Sequence, residues 1–169
     1  MEIVTITSLD NYEQQLASLL IDSVEHGASV GFLAPLSIDE ASGYWQQIKP
    51  DLVQQKRFLI ACINDDKIVG AVQIALCLKA NGLHRADVEK LMVHSQFRQQ
   101  GIATQLLNVV EKIALKNNRT LLVLDTRSQD VASVLYRKQG YKEVGEIPNF
   151  VVNSQGRFEG TTFFYKLLV

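Results

Sequence analysis

Six consecutive residues, Arg98-Gln99-Gln100-Gly101-Ile102-Ala103, have the make-up of an anion site. They lead into a segment, 101–116, in which Ile102, Leu106, Val109, Val110 and Ile113 recur on one helical face. The first N–H groups of a helix lack intrahelical acceptors, and the aligned peptide dipoles leave partial positive charge there. Gly101 and Ala103 keep side chains small where an anion must approach the backbone, Thr104 continues the first turn, and Arg98 adds a full charge. A phosphate or diphosphate is the ligand such a loop would take. The same six residues would also serve as an ordinary helix entry. The two familiar glycine-rich nucleotide loops, that of the P-loop enzymes and that of the dinucleotide-binding folds, are absent.

Other reactive residue types are placed less suggestively. Cys62 and Cys77 sit inside the apolar runs Leu59 to Ile63 and Ile74 to Leu78, which suits buried small hydrophobes better than a disulfide, a metal ligand or a nucleophile. His26, His84 and His94 have no metal-ligand spacing, and no metal is expected.

The anion loop needs a strand before it and a helix after it, and both are predicted. A strand covers 87–93 and a helix 102–116. Upstream, a short strand at 4–6 precedes a helical stripe over 9–26. A loop with two glycines and a proline spans 27–36, and a second helix over 39–48 closes before Pro50. Strands at 57–63 and 67–78 flank the turn Asn64-Asp65-Asp66. Downstream, 120–126 is an almost wholly apolar strand, as expected where both sheet faces are covered. A short helix at 130–139 ends at Gly140, and strands at 141–145 and 161–168 complete the chain. The expected class is α+β (mixed α/β), one domain over 1–169, with a central twisted mixed sheet of six to seven strands and about four flanking helices.

Composition agrees with an ordinary globular chain. At 169 residues, 47% hydrophobic and net charge −1, disorder and disulfide scaffolds are excluded, and a surface built wholly for nucleic acid or anionic lipid is not expected. The charge is unevenly spread: residues 1–51 carry eight acids and one base, a net of −7, leaving +6 elsewhere. The N-terminus has neither a basic nor an apolar signal region, and no apolar stretch is long enough to span a bilayer, so the cytoplasm is the expected compartment and no membrane or nucleic-acid partner is expected.

The loop and a second block together resemble the GCN5-related N-acetyltransferase (GNAT) superfamily. The second block is Leu122-Val123-Leu124-Asp125-Thr126, then Ala132-Ser133-Val134-Leu135-Tyr136, then Gly140-Tyr141. With Gly145-Glu146-Ile147-Pro148 and Thr162-Phe163-Phe164-Tyr165-Lys166-Leu167, the likeness is greatest to the branch containing tabtoxin-resistance acetyltransferases. It is strongest over 84–168 and architectural before that. Three positions depart from the usual pattern: Ser95 stands where the family often has Pro, Gln99 where it often has Gly, and Gln129 where it often has Asn.

The resemblance implies direct transfer of acetyl from acetyl-CoA to an amine. It implies that the pyrophosphate lies on Arg98, Gln99, Gln100, Gly101, Ile102, Ala103 and Thr104. Pantetheine would run along the backbone of Leu91, Met92 and Val93, with Gln129, Ser133 and Tyr136 also contacting the cofactor. An ammonium must lose a proton before it attacks, and a departing thiolate benefits from an acid. Asp87 is the expected proton acceptor and Tyr136 the expected acid. Asp125 would hold the amine or share the work, and Glu89, on the same strand face as Asp87 by the period of two, is the rival base. Phe32 and Leu33 in the 27–36 loop are expected to line the acceptor pocket, with Tyr44 and Trp45 narrowing its entrance. The expected acceptor is the primary amine of a small amino-acid-like molecule; a protein lysine or N-terminus, or a non-catalytic acyl-CoA-binding role, are the alternatives, and a homodimer is left open.

Overall fold

The computed structural model describes residues 1–168. In chain order its elements are β1 (Glu2–Ile6), α1 (Glu13–Glu25), α2 (Ile38–Val53), β2 (Arg57–Asn64), β3 (Lys67–Leu76), β4 (Arg85–Val93), α3 (Ile102–Lys116), β5 (Leu121–Arg127), α4 (Val131–Lys138), β6 (Lys142–Val152) and β7 (Phe158–Leu167), with single 3₁₀ turns at Ala80–Gly82 and Ser95–Phe97. The strands form one mixed sheet in the order β1-β2-β3-β4-β5-β7-β6, as the expected class requires.

Each sheet face carries its own core. Leu59, Ala61, Ala71 and Met92 pack beneath α1 and α2, with Leu16, Leu20 and the fully buried Trp45. On the other face Ile60, Val72, Ile74, Leu122, Leu124 and Phe164 pack beneath α3 and α4. Burial on both faces explains the continuous apolar runs of the central strands. Gly70 allows α3 to sit close to the sheet: a Cβ there would come within 2.8 Å of Ile102 Cγ2 and 3.3 Å of Leu106 Cδ1.

Several boundaries differ from expectation for identifiable reasons. α2 does not close before Pro50 but runs through it to Val53. Proline removes only its own N–H, and burial of Ile48 and Leu52 on either side keeps the helix in place. At its start, Ser37 and Glu40 form a reciprocal capping box. β6 is twice as long as the predicted 141–145 strand, because an exposed face offers no apolar alternation to read. In the turn at 64–66, Asp65 and Asp66 take φ +47° and +61°, the paired left-handed residues of a tight hairpin.

Candidate active site

The functional geometry starts from one asymmetry in the sheet. β4 pairs with β3 along its length, but pairs with its parallel neighbour β5 only at Arg85, Ala86 and Asp87. Beyond Asp87 opposite Val123 the two strands part, so the β5-facing backbone groups of β4 have no strand partner through to Val93. An extended chain entering this split can take up those groups as a further strand would.

The split is bordered by the helix entry that the loop pattern predicts. Gly101 is the N-terminal cap residue of α3, left-handed at φ +78°, and no side chain caps the first turn. No acidic residue lies in that turn, and a Cβ built on Gly101 would meet nothing within 4 Å. The first-turn N–H groups are thus uncapped beside an open position at Gly101, which suits a diphosphate. Arg98 is tied in beside them: its Nε donates to the Val93 carbonyl at 3.3 Å and its Nη1 to the His26 carbonyl at 3.5 Å. Gln99, where the family often has glycine, takes φ +62°, and Gln129, where it often has asparagine, takes φ +64°. Both family residues suit a left-handed backbone, and this chain adopts it without them. Ser133 follows on α4, buried, its Oγ without a protein partner.

On the α3/α4 side of the split, Tyr136 is 6% exposed, wedged between Tyr141 and Phe164 with both ring centroids at 5.8 Å. Burial, aided by the charges of Asp130 and Asp125, pushes its phenol well above the ordinary value, so it stays protonated across the physiological range.

Carboxylates gather on the α1/α2 side. Asp87 lies opposite Val123, two residues before Asp125, so the period of two brings both aspartates to one face. Burial raises the Asp87 carboxyl above the usual aspartate range, opposed by Arg85 and reinforced by Glu89. Asp125 keeps solvent access, yet the walls of the cleft raise it too, opposed by Lys90. Glu89 shares the face as expected but is engaged: Arg57 Nη1 donates to it at 2.5 Å and to the buried Gln73 at 2.7 Å. Gln73 Nε2 in turn donates to Tyr44 Oη at 2.8 Å, and burial pushes the Tyr44 phenol up to about 12.

Lys90 is the residue that sequence periodicity misses. Gln73 faces Glu89 while Ala71 faces Met92, so three steps along β4 match two along β3, a β-bulge with Lys90 at φ +53°. The bulge turns Lys90 onto the face of Glu89, where its Nζ lies 5.3 Å from the Tyr44 ring centroid and 5.9 Å from that of Phe32. It also sends Met92 to the α1/α2 core and Leu91 to the α3 side. A lone lysine in an apolar-flanked strand gives no hint of this; only the register does.

The 27–36 loop is tied down at two points. Arg127 Nη2 donates to the Gly27 carbonyl at 3.0 Å, and the Ala34 N–H donates to Ser154 Oγ at 3.1 Å. Phe32 is half-buried and meets Tyr44 edge to face at 5.4 Å, whereas Leu33 is 47% exposed. Trp45 does not narrow an entrance, because it is entirely buried in the core. A surface hollow of about 500 Å³ lies at the far end of α3, lined by Thr5, Leu52, Phe58 and Ile113, and holds none of Asp87, Asp125 or Tyr136. Among the described residues no cluster of side chains could hold a metal ion, and no helix is long and apolar enough to cross a membrane.

Comparison with known proteins agrees with this geometry. The model of the acetyltransferase (GNAT) domain matches residues 32–153. Similar solved structures include the ribosomal-protein-alanine N-acetyltransferase of Brucella melitensis, at TM-score 0.81 and 19% identity over 99% of this chain and 100% of that one. The Salmonella typhimurium protein yncA, determined with its cofactor acetyl-CoA, gives TM-score 0.78 at 15% identity over 99% and 94%. An aminoglycoside 6'-N-acetyltransferase complexed with coenzyme A gives 0.77 at 20% over 100% and 98%. With a split sheet, an uncapped glycine helix entry and a domain match over most of its length, the chain belongs to the GNAT family, as an N-acetyltransferase that uses acetyl-CoA.

Proposed function

We propose that this chain, acting as one catalytic domain over 1–169, acetylates the primary amine of a small amino-acid-like molecule. The observation that carries this is the tethered 27–36 loop with the aromatic and lysine side chains packed against it. The 27–36 loop is fixed by Arg127 and Ser154, and its Phe32 packs with Tyr44 and Lys90, so bulky side chains crowd this side of the split. A long peptide needs an open groove. The likeness of 84–168 to the tabtoxin-resistance branch supports the same acceptor class.

Bound acetyl-CoA supplies the acetyl group as a thioester. The first-turn N–H groups at Gly101 to Thr104, with the Arg98 charge, hold the diphosphate, and the free backbone of Leu91 to Val93 aligns the pantetheine arm. Gln129 and Ser133 border the same path. Asp87 takes the proton from the amine, directly or through water: burial raises its carboxyl above the usual aspartate range, which makes it a better base than an ordinary aspartate. Asp125, across the split, holds the amine in place. Glu89 is left to orient Arg57, Gln73 and Tyr44 rather than to act as base. Tyr136, kept protonated by burial, donates to the departing sulfur from the opposite side.

A competition experiment tests the acceptor class. Amino acids, dipeptides and polyamines are offered at equal concentration with lysine-containing and free-N-terminal peptides. Higher kcat/KM for the small amines is expected, and preference for the long peptides would make the chain a protein acetyltransferase.

A further inference from the structure

Among the described residues the ammonium of Lys90 is a cation on the acceptor face that no carboxylate pairs directly. Glu89 and Arg57 are joined at 2.5 Å, and Asp87 and Asp125 are the acids assigned to the amine. Lys90 is only partly exposed, has no carboxylate oxygen within 4.0 Å, and makes no hydrogen bond among the described residues. Its surroundings are the faces of Phe32 and Tyr44 and the glycine at 31, whose missing Cβ would lie 3.5 Å from Nζ. Burial works against this charge, lowering its proton affinity, with Glu89 and Asp125 partly offsetting the effect. A β-bulge holds the side chain on this face at the cost of a left-handed backbone. Three donors held half-buried against two aromatic rings are costly to the free protein and favourable once an anion arrives.

We propose that Lys90 binds the carboxylate of the acceptor and thereby selects amines that carry one. This rests on the acetyltransferase reading of the same site and sharpens it. Asp87, Asp125 and Lys90 share one sheet face and give it charges of both signs, which a zwitterionic amino acid complements. A plain amine would bring a second cation beside Lys90 and leave its donors unmatched, a loss that half-burial magnifies.

The test compares each amino acid with its own neutral carboxamide as acceptor, using wild-type protein, Lys90→Met and Lys90→Arg. Wild type is expected to favour the acid by at least tenfold in kcat/KM, about 1.4 kcal/mol. Lys90→Met, which keeps the apolar stem but no charge, should abolish that ratio, and Lys90→Arg should restore most of it. Coenzyme A titration confirms that each variant is folded. A wild-type ratio near one, or an unchanged ratio in Lys90→Met, overturns the assignment while leaving the acetyltransferase reading intact. Failure of wild type to acetylate any amine in the panel overturns both. Mass spectrometry of the peptide containing Lys90 adds one further check: an acetyl group accumulating there during turnover would neutralise the charge and overturn the assignment.

Discussion

Replacing Gly101 separates cofactor binding from folding more cleanly than any other change. Its φ of +78° disfavours any residue with a Cβ, by about 1–2 kcal/mol. A Cβ there would meet no protein atom within 4 Å, so backbone strain is the whole folding penalty of Gly101→Ala. In the proposed binding mode the diphosphate reaches the first-turn N–H groups through this space, so the added methyl should exclude ligand rather than protein. Gly156, at φ +76° and equally open, lies in the β6–β7 connection and supplies the control. Both alanine variants should lose similar stability in denaturant titrations. Only Gly101→Ala should weaken coenzyme A in calorimetric titration, by at least tenfold or about 1.4 kcal/mol, and Gly101→Val by more. Unchanged affinity in a folded Gly101→Val protein would refute the assignment of this loop.

Tyr136→Phe should lower kcat on the order of 10²-fold while leaving the Kd for acetyl-CoA nearly unchanged, since it removes an acid used only as the thiolate departs; equal turnover in stopped-flow thiol release would exclude that role. Gln99→Gly relieves a left-handed glutamine and should stabilise the fold by up to about 1 kcal/mol, and a denaturation midpoint that does not rise would show that no strain resides there. Asp87 has a folded-state value raised above 3.8, so its contribution favours the fold below 3.8 and is lost as pH rises through the raised value. Thermal melting of Asp87→Asn against wild type should therefore shift in favour of the variant between acid and neutral pH; a gap that is constant or moves the other way contradicts the raised value.

The parts of the site that depend on short-range pattern were readable. The helix at 102–116 coincides with α3, and Asp130 and Gly140 bound α4 as its cap and its left-handed terminus, at φ +82°. Asp87, Glu89 and Asp125 share a face because alternation is a local property of strands. Lys90 escaped because a bulge breaks that alternation, and the bulge exists only in the pairing of β4 with β3, which no local pattern records. The engagement of Glu89 was hidden similarly, since Arg57 lies 32 residues away in sequence. Trp45 and Tyr44 are neighbours in sequence with opposite fates, one in the core and one beside Gln73 and Lys90, because a helix turns adjacent residues about 100° apart. The length of β6 was invisible for a third reason: its exposed residues carry no burial signal.

The central claim is that a carboxyl at the split of β4 and β5 receives the amine proton during acetyl transfer. The pH profile of kcat/KM for wild type and Asp87→Asn, followed by thiol release with one acceptor, tests it most directly. Wild type should lose activity on the acid side as a carboxyl titrating above 3.8 is protonated. Asp87→Asn should lack that limb, turn over far more slowly at neutral pH, and recover partly as rising pH supplies more neutral amine. Superimposable profiles for the two proteins would contradict the account.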